Sequence, residues 1–170
     1  SIEALFLLFA GLVGGELEKL AQTQQLHLAQ RALDTTTDSV VICNLDKIIT
    51  YVNTAFENNS GYKSDEVIGH TPSELKSGLH NQNFYKEMWE SIVSQGSWSG
   101  EIWNRKKDGS LHLDWLTISS VKDKNNNVTH YTGISHDITD QKSSEEKIRF
   151  QATHDLLTEL PNRRLFVELL

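Results

Sequence analysis

Several scarcities bound what this sequence can be. It holds one cysteine, Cys43, one methionine and two prolines in 170 residues. A single thiol excludes an intramolecular disulfide and a cysteine-based metal cage, and a reducing cytoplasm is the expected compartment. Positive charge is also sparse: 16 Lys+Arg stand against 23 Asp+Glu, a formal net charge of -7. Such a surface repels a phosphate backbone, so nucleic acid is not an expected partner. Long hydrophobic runs are missing. The most apolar stretch, Ala4 to Gly15, has twelve residues without a charge and is bracketed by Glu3 and Glu16. A membrane-spanning helix needs about 20, so a membrane anchor is the less favoured reading. No paired carboxylates and no Ser/His/Asp set stand out, and His27, His130, His136 and His154 lack metal-ligand spacing. The expectation is therefore no catalytic residues and no metal site. With no Met at the start and an end in mid-pattern at Leu169-Leu170, the sequence is expected to be a fragment of a longer protein.

What is present is a globular middle with helical flanks. Hydrophobic residues make up 38% of the chain, enough for one domain with a real core but hardly for two. Residues 2 to about 33 read as helix. Leu5, Leu12, Leu26 and Leu33 fall at seven-residue spacing with Lys19 the exception, and Phe9, Val13, Leu17 and Leu20 add a neighbouring stripe, the period of a seam that packs against a partner helix. The alternative is a helix lying on its own domain. Gly14-Gly15 weakens its interior by about 1 kcal/mol per residue, so packing must hold it. From Asp38 the period becomes that of strands. Val40-Val41-Ile42 and Ile48 to Val52 are joined by a turn-rich Asn44-Leu45-Asp46-Lys47. Asn53 sits where a helix N-cap belongs, Gly61 and Gly69 end two short helices, and Asn81 to Gln95 is a longer one. In that helix Phe84, Met88 and Ile92, and beside them Trp89 and Val93, recur at helical spacing. Three strands follow: Trp98 to Lys107, Ser110 to Lys122 and Val128 to Ile138. The first two are separated by Asp108-Gly109, a hairpin signal. Thr139 or Asp140 then caps a helix beginning near Gln141. The order β-β, helices, β-β-β implies an α+β fold, one five-stranded antiparallel sheet with helices over one face.

Four ordered blocks carry a family resemblance. They are Asp46…Tyr51-Val52-Asn53-x-Ala55-Phe56, Gly61-Tyr62…Glu66-Val67-Ile68-Gly69, Asn104 to Ser110, and Tyr131-x-Gly133…Asp137-Ile138-Thr139. Together they make residues 33–139 resemble a PAS sensor domain, flanked by long N- and C-terminal signalling helices. Residues 1–32 form the preceding linker or coiled-coil helix. Within it Phe9-Ala10 and Glu16-Leu17-Glu18-Lys19-Leu20 resemble the last helix of a GAF domain. Residues 140–151 are the exit linker helix. Ala152 to Phe166, with Asp155-Leu156-Leu157-Thr158 and Asn162-Arg163-Arg164, resembles the opening of a GGDEF domain, so 152–170 is the truncated start of one. Glu159 stands where that family usually has glycine. The resemblance implies a parent protein of cyclic di-GMP signalling, acting as a diguanylate cyclase on GTP, as a phosphodiesterase, or as both. The fragment itself, without the signature and GTP-binding residues, is not expected to be an enzyme.

The PAS resemblance also implies a pocket between the sheet and the helices. Strand alternation puts Trp98, Gly100, Ile102 and Asn104 on one face, with His112, Asp114, Leu116 and Ile118 facing the same pocket. Against flavin-binding PAS and LOV domains, Asn104 and Asp114 match the two polar strand residues at the isoalloxazine edge, and Ser135 stands where LOV domains place a Gln. The stretch through Ser77-Gly78, Phe84-Tyr85, Met88-Trp89 and Trp98-Ser99-Gly100 resembles FAD-binding redox-sensor PAS domains. The residues implied for a cofactor are Trp98, Asn104, Asp114, Ser135, Ser77, Leu116 and Ile118, and the implied cofactor is FAD. No cysteine lies near Ser73 to Leu79, which excludes LOV-type adduct formation. His70 and His80 are the haem candidates, but haem is disfavoured because the long helix holds no histidine. The competing reading is a ligand-free PAS dimerisation and relay module, in which Asn104 satisfies backbone groups and Trp98 fills the core.

For signal relay the implied residues are Asp137, Ile138 and Thr139 at the strand-to-helix joint, with Asp155, Asn162 and Arg163 where the exit helix meets the output domain. The expected partners are a second copy of the chain, paired through the flanking helices, the downstream GGDEF domain in cis, and a small-molecule ligand.

Overall fold

The computed structural model describes residues 18–25, 27–31 and 33–153. The GAF-like Phe9-Ala10, three leucines of the heptad seam (Leu5, Leu12 and Leu26), Val13 and Leu17 of the neighbouring stripe, His154 and the relay residues Asp155, Asn162 and Arg163 lie outside the described residues. Residues 18–25, 27–31 and 33–35 are helical (α1). Leu20, Leu28 and Leu33 of this helix are exposed, so its described part does not lie against its own sheet.

Five strands follow in the anticipated order: β1 Ser39–Cys43, β2 Ile49–Val52, β3 Ser97–Arg105, β4 Leu111–Lys122 and β5 Val128–Asp137. They form one antiparallel sheet ordered β2-β1-β5-β4-β3. An antiparallel sheet can bury one face and expose the other. The short helices α2 (Thr54–Ser60) and α3 (Ser64–Val67), a 3-10 turn (Pro72–Leu75) and the longer α4 (Gln82–Gln95) lie between β2 and β3. The 3-10 turn had no sequence signal beyond its proline.

The β1–β2 turn is held by Asn44, whose Oδ1 accepts from the amides of Asp46 and Ile48, while Lys47 takes φ 64. Asn53, 1% exposed, ties four segments together. Its Oδ1 accepts from the amides of Val40 and Phe56, and its Nδ2 donates to the carbonyls of Leu33 and Asp38. It therefore caps α2, closes β1 and fixes the end of α1 with one side chain. Cys43, Ile49, Val52, Phe56 and Val67 form the core beside it.

Asn81 caps α4, and Gly96 ends it at φ 82, where an L side chain would be strained. Met88 and Ile92 are buried, but Val93 is 77% exposed. The packing stripe of α4 is thus narrower than the sequence pattern, because a helix buries only about 100° of its surface. The β3–β4 connection is longer than a two-residue hairpin. Lys106 N–H bonds Ser110 O, and Gly109 at φ 88 donates to Lys106 O. The exit helix α5 (Thr139–Thr153) starts two residues earlier than expected and has no buried residue.

Candidate functional site

Between the inner face of the sheet and α2, the 3-10 turn and α4 lies a cavity of about 260 Å³. Its walls are largely apolar, with Val41, Ile102, Leu116 and Ile118 from the sheet facing Phe56, Leu75 and Met88. Strand register explains why distant residues meet there. Asn104 pairs with His112, Ile102 with Asp114, and Gly100 with Leu116, which in turn pairs with Ser135. Residues directly opposite on antiparallel strands share a face.

Of the seven residues implied for a cofactor, Asn104, Asp114, Ser135, Leu116 and Ile118 line this cavity. Trp98 and Ser77 do not. The indole of Trp98 lies over Gly100, where a Cβ would come within 2.7 Å of it, and packs edge-on against Phe84. Trp98 therefore fills the seam between β3 and α4. Ser77 is buried, but its Oγ is spent on the amide of Leu79, and its carbonyl accepts from Arg105.

The polar end of the cavity is a buried network. Asp114 Oδ2 accepts from Asn104 Nδ2 at 2.8 Å and lies 3.1 Å from His112 Nε2. His112 and Tyr85 line the cavity, and His112 Nδ1 and the Tyr85 hydroxyl are buried with no hydrogen-bond partner. Native interiors leave few such atoms unmatched. Cys43 also lines the wall, and burial pushes its thiol up to about 11, so it stays protonated at neutral pH. Three further cavity residues are cations: Lys47 over the Trp89 ring, Lys76 over the Tyr85 ring, and Arg105.

The histidines considered for haem are engaged elsewhere. His80 Nε2 accepts the Trp103 amide at 2.9 Å and its ring stacks on Phe84, with burial lowering its pKa. His70 Nδ1 is 2.7 Å from Glu74 on the surface. Among the described residues there is no group of three or more potential metal ligands and no helix long and apolar enough to cross a membrane.

The exit joint adjoins this network. Asp137 Oδ1 accepts from both the amide and the hydroxyl of Thr139, and its Oδ2 pairs with Lys106 at 3.3 Å. Burial alone would raise the pKa of Asp137, but the hydrogen bonds from Thr139 and Lys106 outweigh it and the net shift is downward. Leu113, which sits between His112 and Asp114, donates its amide to Thr139 Oγ1 and accepts at its carbonyl from the Ile138 amide. Lys142 in the first turns of α5 reaches Glu101 of β3 at 2.7 Å. The alternation of β4 could have revealed the His112–Asp114 pair. The Lys106–Asp137 pair, 31 residues apart, had no such signal.

Comparison with known proteins places this architecture. The family model described as PAS domain matches residues 37–140. The nitrogen fixation regulatory protein of Klebsiella pneumoniae is 30% identical over 105 residues, 62% of this chain and 21% of that protein. A blue-light-activated histidine kinase of Brucella anthropi is 30% identical over 94 residues, 55% of this chain and 19% of that protein. The crystal structure of the PAS domain of a Colwellia psychrerythraea protein superposes with a TM-score of 0.63 at 26% identity, covering 68% of this chain and 98% of that one. The chain thus spans about a fifth of the length of the curated relatives it matches.

Proposed function

The chain belongs to the PAS domain family as a sensory signalling domain, and on that premise we propose that it binds a small molecule in the sheet–helix cavity and relays occupancy through Asp137, Ile138 and Thr139 to a GGDEF output domain. The observation that carries this reading is Leu113. Its two neighbours, His112 and Asp114, face the cavity, while its own amide and carbonyl hold Thr139 and Ile138. A ligand that moves those side chains displaces the backbone on which α5 is seated. To shift a two-state exit, it must bind one state more tightly than the other.

The GGDEF output rests on the resemblance of Ala152 to Phe166, and with it the cyclic di-GMP function of the parent. Paired exit helices in a dimer would set whether two such domains meet over their substrates.

A flavin is the ligand that the LOV and redox-sensor resemblance implies. The apolar walls suit a flat ring. The flavin edge presents acceptor, donor, acceptor and asks for two hydrogens from the protein. Here one Asn104 hydrogen goes to Asp114 and the other is left, while a carboxylate at Asp114 has none to give, so the polar end meets one of the two.

The ligand-free module is the second reading. It is favoured by the self-contained Asn104–Asp114–His112 network and disfavoured by the cavity. The test uses the full-length parent. Gly133→Leu places a side chain beside Leu116 in the cavity wall and stands in for occupancy. Cyclic di-GMP output is expected to change with Gly133→Leu and to stop responding to it when Asp137→Ala is added. Output indifferent to Gly133→Leu in a folded parent would sink the relay.

A further inference from the structure

His112 and Asp114 lie two residues apart on β4 and so point to the same side of the sheet. Both are buried, 6% and 4% exposed. One oxygen of Asp114 accepts from Asn104 Nδ2 and lies 3.1 Å from His112 Nε2. The Nδ1 of the same imidazole is buried without a hydrogen-bond partner. One of the two amide hydrogens of Asn104 is turned onto Asp114, and the other is left over. What this end of the cavity offers a ligand is therefore a carboxylate acceptor beside one amide hydrogen.

A buried acceptor left without a donor costs about as much as a lost hydrogen bond, and more when it is charged. The occupant must bring N–H groups to this end, and it must be flat and apolar on its faces to lie between the sheet and α4. We propose that the cavity takes a planar heterocycle whose edge carries a ring N–H beside an exocyclic amino group, the amino-lactam edge of a guanine or a pterin. Asp114 is the acceptor for these groups, and Asn104 and His112 hold the carboxylate in place. This rests on the cavity being a ligand site, and it replaces the second carbonyl of the flavin edge by an amino group.

The test is equilibrium dialysis of the chain with guanosine and with pterin, against inosine, which lacks the amino group, and riboflavin. Guanosine or pterin is expected to bind, and inosine to bind about 10- to 100-fold more weakly than guanosine, the value of one hydrogen bond to a charged group. Asp114→Asn, which keeps the shape, is expected to weaken guanosine or pterin by a similar factor. Equal affinity for guanosine and inosine, or binding unmoved by Asp114→Asn, overturns the assignment. Riboflavin binding more tightly than guanosine and pterin also overturns it and leaves the ligand-sensor reading standing. No binding of any of the four, with no small molecule released when the purified chain is denatured, overturns both.

Discussion

Removing the carboxylate of Asp137 should loosen the exit helix by an amount that can be apportioned. Asp137→Ala deletes the acceptor for the Thr139 amide, which acts as an N-cap worth about 1 kcal/mol. It deletes the half-buried pair with Lys106, worth about 0–1 kcal/mol. It also frees the Thr139 hydroxyl, whose oxygen accepts from Leu113, and a bond of that kind contributes roughly 0.5–1.5 kcal/mol. The sum is about 1.5–3.5 kcal/mol. Asp137→Asn keeps an acceptor oxygen for Thr139 and loses only the charge, so it should cost under about 1 kcal/mol. Thr139→Val removes the hydroxyl and leaves Lys106 paired, so it should fall between the two. Urea denaturation followed by tryptophan fluorescence measures all three. Amide hydrogen exchange at Leu113, Ile138 and Lys142 shows whether the loss is local to the joint. If Asp137→Asn costs as much as Asp137→Ala, the charge and not the cap holds the helix, and the reasoning fails.

Asn53→Ala should be among the most damaging single changes, at about 2–4 kcal/mol in urea denaturation, because it removes a helix cap and leaves the buried Val40 amide unmatched; a cost below about 1 kcal/mol would contradict its role as a tie. The depressed pKa of Asp137 adds stability that is present above its unfolded value near 4 and is lost as pH falls through the lower folded value. The stability gap between wild type and Asp137→Asn should therefore close under acid in pH-resolved unfolding, and a gap that persists or widens there would reverse the sign of the argument. Cys43, protonated until about pH 11 and buried, should react with iodoacetamide at pH 8 on the order of 100-fold more slowly in the native chain than in urea, and equal rates would refute its burial.

Much of the fold was legible because local chemistry announces it. Asn53, Gly61, Asn81 and Gly96 each stand where a helix must start or stop, and the structure uses all four as caps. Period-two alternation on β3 and β4 brought Asn104, Asp114, Leu116 and Ile118 to one cavity, with Ser135 joining from β5. Trp98 shares their parity but lies too far along β3, where α4 crosses and Phe84 meets it. Parity fixes a face, and only the crossing helix decides which part of that face stays open. The joint was legible as the triplet Asp137-Ile138-Thr139. Its partners Lys106, Leu113 and Glu101 were not, since contacts across 25 or more residues depend on strand register.

The most direct measurement of the central claim is native mass spectrometry of the chain purified from cells. The expected result is a species heavier than the polypeptide by one small molecule, reduced to the bare polypeptide mass in Gly133→Leu, where the cavity is filled. The bare mass alone for wild type, unchanged by the substitution, would contradict the claim that this cavity is a sensor's binding site.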